Sequence, residues 1–151
     1  MEILVNIHNI TSAQRVIEIS KLALSHKTVK NLVLTKVGGT AAQSGIPEVF
    51  RFAYKLGKSI MVLPDLKDTI ELLKPDKVIL ISSKSNQVLT REEIKKYEKD
   101  NKKILIVIPG NEAGFTKIEE SLGEIYRIES EINVEVSPIA ILGIILYCIL
   151  S

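Results

Sequence analysis

Two short runs, Val78-Ile-Leu-Ile81 and Ile104-Leu-Ile-Val-Ile108, are apolar at every position and constrain the fold more than any other feature. A strand with one wet face alternates polar and apolar residues, so an unbroken run belongs to a strand covered on both faces, the condition of a parallel sheet between helices. The segments around these runs obey the same logic. Glu2 to Ile7 is a β-branched first strand, and Thr11 or Ser12 caps a helix whose Val16, Ile19, Ala23 and Leu24 recur at helical spacing up to His26. Val29 to Leu34 follows as a strand, Lys36 to Gly45 as a small-residue loop, and Pro47 opens a helix that Gly57 stops.

The alternation continues to the end of the chain. Ser59 to Leu63 is a third strand; Asp65 caps a helix through Leu73, and Pro75-Asp76 turns into the strand Lys77 to Ile81. Thr90-Arg-Glu-Glu93 reads as a capping box opening a helix to Asp100, and Lys103 to Ile108 is the fifth strand. Thr116 to Leu122 predicts a short helix, Glu124 to Ile128 a sixth strand and Ser137 to Leu150 the last helix. The expected fold is a single α/β domain over residues 1–151, a mostly parallel sheet flanked by helices.

Composition narrows the class. With 46% hydrophobic and 25% charged residues the chain matches ordinary globular domains, and a net charge of +2 does not by itself point to nucleic acid. The start MEILVNIHNI lacks a basic n-region and reads as a strand, not a signal peptide. The tail from Pro138 to Leu150 falls short of the roughly 20 residues that cross a bilayer. The single Cys148 reads as a reduced thiol, and the expected compartment is cytoplasmic, with no membrane partner.

Parallel sheets gather ligand chemistry at the carboxyl ends of their strands. Three stretches fall there: Asn9 to Arg15, Pro109 to Phe115, and Ser130 to Ser137. Pro109-Gly-Asn-Glu-Ala-Gly-Phe115 reads equally as a βα turn with glycines at unusual backbone angles and as a loop whose amides face a ligand. It lacks the third glycine of a dinucleotide fingerprint and the Gly-Lys-Ser/Thr of a phosphate loop. Arg15, a turn into the first helix, suits either a phosphate or open solvent. His8 ends the first strand with no partner visible in the sequence, and His26 suits a helix-end charge. Two histidines and one cysteine without ligand spacing predict no metal site. The lysines from Lys95 to Lys103 read as a solvated helix face, and Glu129, Glu131 and Glu135 as an acidic loop around Asn133.

In order and spacing, the three stretches resemble the three motifs of the SPOUT class of RNA methyltransferases, the SpoU-type ribose 2'-O-methyltransferases in particular. Asn9-Ile-Thr-Ser-Ala-Gln-Arg15 is similar to motif one, Pro109 to Phe115 to the glycine-rich motif two, and Ile132-Asn133-Val134-Glu135-Val136 with the following helix to motif three. The resemblance implies a C-terminal trefoil knot, S-adenosylmethionine as cofactor, a homodimer packed partly through the last helix, and tRNA or rRNA as substrate. It implies Arg15, Asn9 and Glu112 as catalytic residues. It implies cofactor contacts from Ile81, Ser82, Pro109, Gly110, Asn111, Gly114, Ile128, Glu131, Ile132, Asn133 and Val134. RNA would lie on the loop Thr35 to Gly45. Methyl transfer is the leading expectation, and an inactive RNA-binding module of the same fold is the alternative. A nuclease or other nucleotide enzyme ranks third, because it wants carboxylates at strand ends and the sequence offers only the glutamates around Asn133.

Overall fold

A computed structural model describes residues 2–100, 102–129 and 137–150. Among these, six parallel strands form one sheet in the order β3-β2-β1-β5-β4-β6. The strands are β1 (Glu2–Ile10), β2 (Asn31–Val37), β3 (Ser59–Leu63), β4 (Lys77–Ile81), β5 (Lys103–Pro109) and β6 (Glu124–Tyr126). The α/β expectation holds. The expected C-terminal knot falls on a segment that includes residues 130–136, which lie outside the described residues, as do the expected cofactor contacts Glu131, Ile132, Asn133 and Val134.

The helices are α1 (Ala13–Ser25), α2 (Ile46–Leu56), α3 (Leu66–Leu73), α4 (Arg91–Lys99), α5 (Lys117–Glu120) and α6 (Pro138–Ile144). Strand side chains alternate between the two faces, and the core divides accordingly. Ile3, Val5 and Ile7 of β1 with Ile104, Ile106 and Ile108 of β5 pack on Val16, Ile19 and Leu24 of α1, Val49 of α2, Ile94 of α4 and Leu142 of α6. Leu4, Leu80, Leu105 and Val107 point the other way onto Leu66 of α3 and Phe115. Both faces of β5 are therefore dry: Ile104 through Ile108 have no exposure at all.

The helix starts obey the expected chemistry. Ser12, Thr90 and Ser137 each accept a bond from a first-turn amide, and Asp65 forms a reciprocal capping box with Asp68. Gly57 ends α2 in the left-handed conformation (φ 66°). Two segments differ from expectation. β1 and β2 run on to Ile10 and Val37, because their parallel register continues past His8↔Thr35 to Ile10↔Val37. The loop expected from Lys36 to Gly45 instead winds into a π-helical turn, Ala41–Gly45, leading into α2, with Ala41 buried. Thr35, expected at a substrate loop, is a fully buried strand residue.

The connections leaving β1 and β5 diverge. From β1 the chain passes through α1 toward β2 and β3, while from β5 it passes through α5 to the far side of β4. The β1–β5 seam is thus the topological switch point, where open parallel sheets leave a crevice at the carboxyl edge.

Candidate functional site

At that edge the loop after β5 is fastened to the end of β1. The Gly110 amide donates to the His8 carbonyl at 2.6 Å, and Asn111 Nδ2 donates to the Asn9 carbonyl at 3.0 Å. Asn9 itself adopts φ 67°. A Cβ on Gly110 would sit 2.5 Å from the Asn9 carbonyl oxygen, so only glycine fits. The close approach that demands glycine at position 110 is thus to β1's own backbone. Gly114 is needed for its backbone angle alone, since its φ is 75° and nothing lies near its missing side chain.

Arg15 and Glu112, expected near each other, meet as a two-pronged ion pair, with Nη1 and Nη2 donating to Oε2 and Oε1 at 3.0 and 2.9 Å. The Arg15 hydrogen bond, set against little desolvation, holds the Glu112 carboxyl below its ordinary pKa. Of the expected cofactor residues, Ile81, Ser82, Pro109, Asn111 and Gly114 line one cavity of about 70 Å³ beneath α6. Ile128 is packed in the main core, and it does not line that cavity.

A second constellation occupies the other face of the same edge. His8 is buried, and both ring nitrogens are engaged: Nδ1 lies 2.7 Å from Thr35 Oγ1, and Nε2 lies 2.5 Å from Glu119 Oε2. Thr35 in turn accepts from Asn6 Nδ2 at 2.9 Å. Glu119 is the N3 residue of a capping box with Thr116, whose amide donates to Oε1. Burial by itself would raise the Glu119 pKa; the Thr116 amide, the bond with His8, and the charges of His8 and Lys36 outweigh it and hold the carboxyl below its ordinary value. Asp65, at the start of α3, completes the group. One ligand atom each from His8, Asp65 and Glu119 lies within 4.8 Å of the other two.

The donor set is one imidazole nitrogen and two carboxylate oxygens, a combination that suits divalent Mg, Mn or Zn. A histidine that ligates through one nitrogen needs its other nitrogen fixed, and Thr35 supplies that partner. One further detail fits a cation. Asn6 Oδ1 is buried and has no hydrogen-bond partner. Asn6 donates to Thr35, and the direction of the Thr35–His8 contact follows the His8 tautomer: where Thr35 donates to Nδ1, Nε2–H faces Glu119. If the Asn6 amide turns over, Oδ1 accepts from Thr35, His8 Nδ1–H donates to Thr35, and Nε2 presents the lone pair that a cation requires.

The expectation of no metal site rested on local ligand spacing. Local spacing cannot see residues 8, 65 and 119, which strand order brings together. Asp65 was legible only as a helix cap and Glu119 only as part of a short helix. Asp65 alone carried a signal of position: an acidic cap that follows closely on a strand, β3.

The fold is that of SpoU-type methyltransferases. The chain matches the SpoU methyltransferase AviRb of Streptomyces viridochromogenes with a TM-score of 0.71 at 13% identity, covering 97% of this chain and 57% of that one. A protein solved in work on "the 2-OH methylation of C/U34 on tRNA" matches with a TM-score of 0.73 at 14% identity, over 97% and 92% of the two chains. Sequence relationship points elsewhere. Residues 39–148 match the family described as RecB-family nuclease (DUF2122), and the chain belongs to that family.

Two relatives agree. A protein of Aeropyrum pernix named "Putative type II restriction enzyme ApeKORF2002P" is 36% identical over 151 residues, covering 99% of this chain and 94% of its own. "Putative type II restriction enzyme MjaORF1200P" of Methanocaldococcus jannaschii is 39% identical over 129 residues, 84% of each chain. Both sets of names are enzyme names. The expected RNA methyltransferase activity is overturned by this membership: identity of 36–39% over most of the chain relates it to proteins named for nucleases. Likeness at 13–14% carries the fold and no chemistry.

Proposed function

We propose that this protein is a divalent-cation-dependent nuclease and that His8, Asp65 and Glu119 hold the cation. The observation that supports this reading is the convergence of those three ligand atoms within 4.8 Å, at the carboxyl edge of the sheet, from segments far apart in sequence. When bound there, a divalent cation would supply Lewis-acid polarisation of a phosphoryl oxygen and a more acidic water.

The chain's own residues do the rest. Thr35 and Asn6 fix the His8 tautomer, and the Thr116 amide keeps Glu119 oriented. Lys36, whose charge reaches Glu119, balances negative charge at the mouth of the site. Across the edge, the Arg15 guanidinium is the phosphate-holding candidate, because its planar fork already grips one oxyanion, Glu112, and can take another in its place.

The substrate in this reading is a nucleic-acid phosphodiester. The purified chain, given Mg²⁺ or Mn²⁺ with duplex DNA and with structured RNA, is expected to cut at least one of them. Glu119→Gln and Asp65→Asn are each expected to stop the cutting. Cutting that survives both substitutions, or none with any cation, would sink the reading.

S-adenosylmethionine enters as a proposed ligand at the mouth of the neighbouring cavity, whose volume of about 70 Å³ would enclose only part of it; the gathering of Ile81, Ser82, Pro109, Asn111 and Gly114 there supports the reading. Calorimetry showing no uptake at millimolar concentration would remove it. A homodimer through the C-terminal helical segment is likewise proposed, supported by Tyr147, a half-exposed aromatic on the π-helical turn Ile145–Ile149 that continues α6. Sedimentation of a monomer at micromolar concentration would contradict it.

A further inference from the structure

The amino edge of the sheet, at the opposite end of the strands from the cation ligands, carries a cavity of about 530 Å³. That volume lies within the range of small-molecule sites. Its walls come from the starts of β1 and β2, from the turn between α1 and β2, and from one face of α4. Arg91, Ile94, Lys95 and Glu98 recur there at i, i+3, i+4 and i+7.

The charge around the cavity is uneven. Lys27, Lys30, Arg91 and Lys95 line it against only Glu2 and Glu98, a local excess of two positive charges. Among the described residues, Lys27, Lys30 and Lys95 enter no ion pair, whereas Glu2 is already turned toward Lys103 at 4.0 Å. Arg91 is held in place by one bond, from Nη2 to the Cys148 carbonyl at 2.9 Å. The neighbouring His26 has its pKa depressed by burial first and then by the charges of Lys27 and Lys58.

The lining of the cavity is apolar as well as cationic. Ile94 and Ile149 are buried side chains that reach it. Like charges gathered on a concave surface repel one another unless an anion sits among them. A small inorganic anion would leave the apolar lining uncovered. A ligand with a compact anionic head and a flat, weakly polar body satisfies both.

We propose that this cavity binds a nucleoside phosphate, its phosphates among Lys27, Lys30, Arg91 and Lys95 and its base against Ile94 and Ile149. The site is separate from the cation ligands and stands whether or not they support cleavage. The same chemistry has two sources, a free nucleotide or the phosphorylated end of a nucleic-acid strand.

The test is calorimetry of the full chain without divalent cations, using ADP, inorganic phosphate and a 5'-phosphorylated tetranucleotide as probes. One ADP per chain is expected, bound at least about tenfold more tightly than inorganic phosphate and weakened by salt. Lys30→Glu and Lys95→Glu replace exposed side chains and are expected to weaken ADP at least about tenfold while thermal unfolding stays at the parent value. A tetranucleotide that displaces ADP keeps the site and assigns it to strand ends; one that does not displace ADP assigns it to free nucleotides. Absence of ADP binding at millimolar concentration, or binding untouched by both substitutions, would overturn the proposal.

Discussion

The two edges of one sheet carry opposite kinds of polar chemistry. At the carboxyl edge, His8, Thr35, Asn6 and Glu119 are buried and joined in a hydrogen-bonded chain. At the amino edge, Lys27, Lys30, Arg91 and Lys95 stand exposed around an open cavity. Burying polar groups costs free energy that only their mutual bonds offset, so such a chain is rigid and intolerant of change. Exposed lysines cost little and remain free to meet an incoming anion. The contrast separates a site built to hold atoms in place from one built to attract charge.

The sharpest way to break this contrast is Glu119→Ala. It removes a cation ligand and leaves the His8 ring facing no acceptor, and cleavage is expected to fall by about 100-fold or more, equivalent to ~2.7 kcal/mol. A fall of less than about threefold would place Glu119 outside the chemistry. Gly110→Ala comes next. Its Cβ would strike the Asn9 carbonyl at 2.5 Å, and the unfolding free energy measured by urea titration is expected to drop by about 1–3 kcal/mol.

Thr35→Val probes the relay itself. The shape is kept and the hydroxyl is lost, and Mn²⁺ affinity is expected to weaken about tenfold. Affinity equal to the parent's would show that the His8 tautomer needs no partner. The smallest effect is expected outside both sites, at the β4–β6 border. Lys77 pairs with Glu124, and that hydrogen bond, against partial desolvation, holds the Glu124 pKa below its ordinary value. A depressed carboxylate pKa contributes stability above the unfolded value, near pH 4.3, and loses it as pH falls through the folded value. Glu124→Gln is therefore expected to flatten the acid limb of the stability–pH curve by no more than about 1 kcal/mol. A curve unchanged in shape would show the pair to be thermodynamically silent.

The parts of this molecule legible in its sequence are those encoded locally. The apolar run Ile104 to Ile108 announced a strand covered on both faces, and Asp65, Thr90 and Ser137 announced their helices, because periodicity and capping act within a few residues. Arg15 and Glu112 were placed in one site through a resemblance of motifs, and the structure brings them together as an ion pair.

The cluster of His8, Asp65 and Glu119 was not legible. It depends on β2 and β3 lying beside β1 on one side and β5 on the other, and no local pattern encodes that order. The glycine at position 110 was legible as a tight turn, but its neighbour, the end of β1, was not, because strand order, and no local pattern, brings the two together. Resemblance also misled about activity. The fold is shared with methyltransferases, while family membership tied the chain to proteins named for a different reaction.

The central claim is that His8, Asp65 and Glu119 hold a divalent cation. Titration with Mn²⁺ followed by electron paramagnetic resonance tests it directly, with the parent chain set against Asp65→Asn. That substitution keeps the helix cap, since asparagine caps as well as aspartate does, and removes only the charge. One Mn²⁺ per parent chain, weakened at least about tenfold in Asp65→Asn, is the expected result. No Mn²⁺ bound at millimolar concentration, or equal binding in both chains, would contradict the account.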